Sequence, residues 1–348
     1  MSDYFWKPSL PNWMNYCLTV TGLTGFAGVI LLYVYQCKLI YPASIPEGSR
    51  EKIALPSEYN MKFTEITLET RDNVKLRSYI ILQSDEQKAK KSPTILYFHA
   101  NAGNMGHRLP IAKVLYDKFN CNIVMLSYRG YGLSEGSPDA KGLKIDSQTM
   151  LDYVREHPIL KDTPLVAYGQ SIGGAVAIDL VSRNENSFSG LMLENTFLSL
   201  HKVIPNVLPF LKYFTFLCHQ HWPSERNIQQ IVNTPILFLA GAKDELVPPS
   251  HMMELKDLSV SSNKTWAQFP NGMHNDTFMQ PGYFNAIRDF LEELALFVDK
   301  KEENVLEESY MDGKPAVKND TSYQLISGVA DEEGMAHSFQ VEEVDLEE

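Results

Sequence analysis

The sequence predicts an α/β fold, a mostly parallel sheet with helices on both faces, and three observations carry the prediction. From residue 93 to residue 298 short apolar runs alternate with helical stretches, the rhythm of strand–helix–strand units. Near the middle stands Gly169-Gln170-Ser171-Ile172-Gly173, a serine between an apolar run and a helix of small residues. Such a turn strains the serine backbone, so the positions two before and two after it must lack bulk. Asp244 and His274 each follow an apolar run, which puts them at the carboxyl ends of strands, where chemistry collects in sheets of this kind.

A chain of 348 residues with 44% apolar content, 17 Tyr and 17 Phe can bury a sizeable core around one large domain with extensions. The net charge of -12 is unevenly placed. From Lys301 to Glu348, 14 acidic residues face three lysines, which leaves the rest close to neutral. A near-neutral body lacks the basic face that a nucleic-acid partner needs. Cys17, Cys37, Cys121 and Cys218 are too few and too scattered for a disulfide framework.

In chain order, residues 1–15 precede an apolar segment. Leu18 to Tyr35 carries no charge over 18 positions, and Trp13, Tyr16, Tyr33 and Tyr35 stand near its ends. Length and flanking aromatics predict a single transmembrane helix over 16–37. A cleaved signal peptide would need a small-residue cleavage site, but Lys38 and aromatics follow instead. Lys7 lies on one side, and Lys38, Arg50 and Lys52 on the other, an asymmetry too slight to orient the body. Asn263-Lys-Thr265 and Asn319-Asp-Thr321 are glycosylation acceptors only if that body is lumenal.

A linker over 38–60 leads into the main domain, 61–298. Its first element is a hairpin, Phe63–Leu68 and Val74–Ile80 around Arg71-Asp72-Asn73, and the polar stretch Gln83–Ser92 reads as a loop. Strands are expected at Ile95–Phe98, Ile123–Leu126, Leu165–Tyr168, Leu191–Leu193, Ile236–Leu239 and Thr265–Phe269. Helices are expected at Ile111–Phe119, Ile145–Glu156 and Ala175–Val181, with Ala286–Val298 closing the domain. The excursion Thr196–Ile231 (196–231) carries three prolines and six bulky aromatics. An insertion of that length between core strands reads as a lid over an apolar pocket. Within it Cys218-His219-Gln220-His221 has no second Cys/His cluster to complete a zinc site, so these residues are expected to be structural and no metal is expected. Residues 299–348, acidic and aperiodic, read as a disordered tail.

For Ser171 to act as a nucleophile near neutral pH, a base must reach its hydroxyl and an acid must orient that base. With a nucleophile on such a turn, the chain order is nucleophile, acid, base. Asp244 follows the run Ile236–Leu239, and His274 follows the last strand. Glu194 is the alternative acid, after Leu191–Leu193, while His99 precedes the serine and is excluded as base by order. The oxyanion would be held by the amide of Ile172 and by one in the loop after Ile95–Phe98, for which Asn101 is the candidate.

Several runs together carry a family resemblance: His99-Ala-Asn-Ala-Gly-Asn-Met-Gly-His-Arg108, Ser127-Tyr-Arg-Gly-Tyr-Gly-Leu-Ser-Glu-Gly136, Gly169-Gln-Ser-Ile-Gly-Gly-Ala-Val-Ala-Ile178, Glu194-Asn-Thr-Phe-Leu-Ser199 and His274-Asn-Asp-Thr277. Over about residues 14 to 298 the chain resembles the membrane-anchored alpha/beta hydrolases of the domain-containing-protein-thirteen type and their fungal bud-emergence-related relatives. The resemblance implies the alpha/beta-hydrolase fold, Ser171, Asp244 and His274 as triad, and an endomembrane setting such as the endoplasmic reticulum. One residue departs from the family pattern. Ala100 stands where such enzymes carry glycine, and its methyl group would be strained if the loop required φ > 0.

The expected function is a membrane-tethered serine hydrolase that cleaves an ester or thioester of a lipid or an acylated protein, without metal or organic cofactor. Two alternatives remain at this stage: an acyltransferase with the same triad, and a non-catalytic interaction protein that keeps the hydrolase shell.

Overall fold

The computed structural model describes residues 11–295. The tail expected over 299–348 and the last turn of the expected closing helix lie outside the described residues.

The first element is α1, Asn12–Ile40, preceded by Pro11 and stopped at Tyr41-Pro42, where the residue before proline avoids helical geometry. It extends the expected segment by four residues at one end and three at the other. Its 29 residues rise about 43 Å at about 1.5 Å each. An 18-residue window has a mean hydropathy of 1.9, so the helix is long and apolar enough to cross a membrane. Thr19 and Thr24 donate their hydroxyls to the carbonyls of Asn15 and Val20, 2.8 Å each, so these two hydroxyls are satisfied within the helix.

The hairpin forms as expected from β1 (Thr64–Glu69) and β2 (Lys75–Ile81), paired antiparallel, with Asn73 taking the positive φ that the turn requires. The stretch expected to be loop contains a short helix, α2 (Glu86–Lys91). Asp85 caps it by accepting the Lys88 N–H at 2.8 Å, and Ala89 is buried. The alternation follows with β3 (Thr94–Phe98), α3 (Leu109–Phe119), β4 (Asn122–Leu126), α4 (Ala140–Glu156), β5 (Leu165–Gln170), α5 (Ile172–Arg183) and β6 (Gly190–Glu194). Helix α4 starts five residues earlier than its apolar pattern because Asp139 accepts the Gly142 N–H at 2.6 Å. The excursion is helical, with α6 (Leu200–Val207), a 3-10 run at Pro209–Leu217 and α7 (Ser224–Asn227). Then come β7 (Ile236–Gly241), α8 (Pro249–Leu258), β8 (Lys264–Phe269) and α9 over 283–295.

The sheet order is β1-β2-β4-β3-β5-β6-β7-β8. β2 pairs antiparallel with β4, and every pair from β4 through β8 is parallel. Strands β3 to β7 are buried at every position, as a sheet covered on both faces requires. Alternate residues feed two cores: Leu96 and Phe98 meet Val176 and Ile178 on one face, and Ile95 and Tyr97 meet Leu115 on the other.

One ion-pair cluster ties hairpin, sheet and helix together. Arg129, just after β4, donates from Nε to Asp146 Oδ1 of α4 at 2.8 Å and from its two terminal nitrogens to Asp72 at 2.8 and 3.0 Å. Its stem fills a slot that only a glycine at 142 leaves open, since a Cβ there would come within 2.3 Å of Arg129 Cδ. The Arg129 guanidinium holds the Asp72 carboxyl down at about 2.

Candidate active site

The turn between β5 and α5 puts Ser171 at φ 56 and ψ -119, a conformation that non-glycine residues adopt only under strain. Two glycines make it sterically feasible. A Cβ at Gly169 would stand 2.2 Å from the Gly173 carbonyl oxygen, and one at Gly173 would stand 2.1 Å from the Phe98 oxygen. The turn is braced from β6: the Ser171 N–H donates to the Glu194 carbonyl at 2.9 Å, and the Thr196 hydroxyl donates to the Ser171 carbonyl at 2.7 Å.

Asp244 lies in the loop after β7 and His274 in the loop after β8. The structure brings both to the serine. His274 Nε2 is 3.0 Å from Ser171 Oγ, and His274 Nδ1 is 2.8 Å from Asp244 Oδ2. All three residues are buried. Asp244 is itself fixed, because Oδ1 accepts the Leu246 and Val247 N–H groups at 2.9 and 2.7 Å.

Glu194, the alternative acid, is engaged elsewhere. Its carboxyl accepts hydrogen bonds from the Tyr168 and Tyr283 hydroxyls, the latter at 2.6 Å, and from Gln170 Nε2 at 3.3 Å. Burial pushes its pKa upward. Sequence reasoning missed two residues that hold the histidine loop. Asn195, buried at the end of β6, donates to the Met273 and His274 carbonyls at 3.1 and 3.2 Å and accepts the Gly241 N–H at 2.8 Å. Glu245 accepts the His274 N–H at 3.0 Å. The available signal for Asn195 was a polar residue at a strand exit inside the run Glu194–Ser199.

Of the oxyanion candidates, Ile172 opens α5, so its N–H has no acceptor within the helix. Asn101 is held at both ends of its side chain. Oδ1 accepts the Tyr131 hydroxyl at 2.8 Å, and Nδ2 donates to the Ile40 carbonyl at the end of α1. Ala100 is not among the non-glycine residues with positive φ, so the strain anticipated for its methyl group does not arise.

His99, excluded as base by chain order, lies on the core side of this loop. Nδ1 donates to the Ala100 carbonyl at 2.7 Å, and the ring packs against Tyr128 and Tyr131, with centroids 4.4 and 5.2 Å away. Burial pushes its pKa down to about 3. Between the unfolded value of about 6.5 and about 3, only the unfolded chain binds that proton, so stability falls as pH is lowered across this window. The slope is about 1.4 kcal/mol per pH unit at most. His99→Phe is expected to flatten this limb, read as a smaller shift of the urea midpoint between pH 7 and pH 5 than wild type shows.

Ser171, His274, Ala100, Asn101 and Ile172 share a cavity of about 320 Å³ whose far walls are apolar residues of α1 and of the excursion. Residues of the excursion thus line the cavity beside the serine. Within it, His219 packs on Tyr33 with ring centroids 4.9 Å apart, and Gln220 Oε1 accepts the Ala140 N–H at 2.7 Å and the Tyr41 hydroxyl at 3.2 Å.

Known proteins agree with this architecture. Residues 90–231 match the family described as serine aminopeptidase, S33. Protein bem46 of Schizosaccharomyces pombe is 50% identical over 281 residues, which covers 79% of this chain and 93% of that protein. The chain belongs to the bem46-type alpha/beta hydrolases. The uncharacterized membrane protein YNL320W of Saccharomyces cerevisiae is 42% identical over 264 residues, 76% of this chain and 91% of its own length. An esterase of Pyrococcus furiosus superposes with a TM-score of 0.56 at 16% identity, covering 70% of this chain and 93% of that one. At that identity the likeness is one of fold.

Proposed function

We propose that the chain is a membrane-tethered serine hydrolase of esters or thioesters with an apolar acyl group, carried by a lipid or an acylated protein. The observation that carries this reading is the hydrogen-bonded series Asp244–His274–Ser171 opening on an apolar cavity. In the proposed reaction Ser171 Oγ attacks the carbonyl carbon while His274 Nε2 takes the hydroxyl proton. Asp244 holds the imidazole in the tautomer that leaves Nε2 free to accept. The amides of Ile172 and Asn101 receive the developing oxyanion, worth about 3–4 kcal/mol per donor in comparable sites. His274 then protonates the leaving alcohol or thiol, and water attacks the acyl-serine through the same base. These steps draw on no metal or organic cofactor.

Tethering by α1 is supported by its length, its apolar composition and the description of the Saccharomyces cerevisiae relative as a membrane protein. Residence in the endoplasmic reticulum or another endomembrane belongs to the same proposal and follows from the family resemblance. Fluorophosphonate labelling of the membrane fraction tests the reading. Wild type is expected to label and Ser171→Ala to stay dark. A folded wild type that does not label would overturn it.

A further inference from the structure

The cavity beside Ser171 is not a pocket of the hydrolase domain alone. Leu32, Leu39 and Ile40 of α1 form one wall, and Leu211, Phe214 and Leu217 of the excursion face them. Helix and excursion are locked together by Gln36, the one buried residue of α1. Its Nε2 donates to the Leu217 carbonyl at 3.1 Å, and its Oε1 accepts the His219 N–H at 2.9 Å. Burying an amide is tolerated when both of its ends are satisfied. The docking is therefore specific, and it fixes the 3-10 run beside the carboxyl-terminal third of α1.

The outer face of that run is unusual. Phe210, Tyr213 and Phe216 are 70%, 80% and 74% exposed. Among the described residues every exposed Phe, Tyr or Trp lies either on α1 or between 210 and 216. Exposed aromatics gathered on one face mark an interaction site, and the position of this face names the partner. The run that carries it is held against α1 at Gln36, whose partners are Leu217 and His219, and His219 packs on Tyr33; Lys38 and Lys212 lie over the Tyr35 and Tyr213 rings. Aromatic rings flanked by lysines are the composition of a membrane–water interface.

We propose that the Phe210–Phe216 face and α1 form one continuous surface immersed in the bilayer, and that the cavity receives its acyl chain sideways from the leaflet. The substrate class is then an acyl ester or thioester already dissolved in the membrane. This rests on the hydrolase reading above, and on α1 spanning. About 20 residues of α1 suffice for a ~30 Å hydrocarbon core, which leaves the last turns, from Tyr33 to Ile40, to rise alongside the excursion. A chain reaching the cavity from the leaflet would pass between two apolar walls without crossing water, which removes the hydration cost of extracting it.

The test uses the full-length chain in phosphatidylcholine vesicles, with Cys17 and Cys37 replaced by serine and a nitrobenzoxadiazole fluorophore on Tyr213→Cys. The expected result is blue-shifted emission quenched by phospholipids brominated on the acyl chain, while the same fluorophore on Gln87→Cys of α2 is neither shifted nor quenched. Emission typical of water at position 213 overturns the proposal. Blue-shifted emission that brominated lipid does not quench also overturns it, since protein, such as a second copy of the chain, would then cover the face. In parallel, the triple variant Phe210→Ser, Tyr213→Ser, Phe216→Ser is expected to lose about tenfold or more in hydrolysis of a long-chain ester dissolved in the vesicles, with fluorophosphonate labelling at the wild-type rate. Loss of labelling as well would show that the face packs within the body and would overturn the proposal. The two readings fail separately. Quenched fluorophore without labelled wild type removes the hydrolase, and labelled wild type with a water-exposed fluorophore removes the immersed face.

Discussion

Asp244→Asn is expected to lower kcat about 10⁴-fold while the protein remains folded. The asparagine carbonyl can still accept the Leu246 and Val247 N–H groups that Asp244 Oδ1 accepts at 2.9 and 2.7 Å, so the loop keeps its shape. What changes is the atom facing His274 Nδ1, where a carboxylate oxygen at 2.8 Å becomes an amide that donates. Nδ1 must then accept, its proton moves to Nε2, and the imidazole can no longer take a proton from Ser171. KM is expected to change little, because Asp244 does not line the cavity. Glu194→Gln gives the contrast. Its partners are Tyr168, Tyr283 and Gln170, so kcat is expected to stay within about a factor of ten. Steady-state kinetics on the purified variants checks both, and equal losses at the two positions would return the choice of acid to the alternative.

The second large effect concerns stability. Arg129→Leu leaves Asp146, fully buried at the amino-terminal half of α4, without its cation. Removing one partner of a buried pair costs about 3–5 kcal/mol, a large share of the roughly 5–15 kcal/mol that holds a typical protein folded. The same loss at Asp72 matters less, because that carboxylate is 40% exposed and water can replace the guanidinium. Arg129→Leu is therefore expected to lower the urea midpoint sharply, and adding Asp146→Leu is expected to recover much of the loss, since an apolar pair needs no counter-charge. A double variant no more stable than the single one would show that shape rather than charge makes Arg129 necessary.

The sequence made those parts of the molecule legible that short-range chemistry dictates. The serine turn needs glycines at 169 and 173 for contacts within a few residues or with one neighbouring strand, and those glycines are visible. Asp244 and His274 could be nominated because chain order and strand exits are local patterns, although the 3.0 Å contact with Ser171 joins residues 103 apart. Helix α8 escaped because only His251, Met252 and Leu255 are buried in it, too few to set a period. The partnership of Gln36 with Leu217 and His219 escaped for a different reason. It joins positions 181 and 183 apart through backbone groups, and no side-chain pattern announces it. The same holds for Asn195, whose partners are loop carbonyls from another part of the chain.

The hydrogen bond from Asn101 to the Ile40 carbonyl joins the last turn of α1 to the loop from which the second oxyanion amide is proposed to come. Helix α1 and the candidate site are thus mechanically linked, and if α1 is the proposed anchor, cutting the chain after it would do more than release a domain into solution. The liberated fragment would lose one wall of its acyl chamber and the strut that steadies its anion-binding loop. Shedding from the bilayer would then amount to inactivation, and reconstitution with a peptide of the anchor, rather than with lipid alone, would be needed to restore turnover. On the proposed reading, such a hydrolase would be switched on by where it is held.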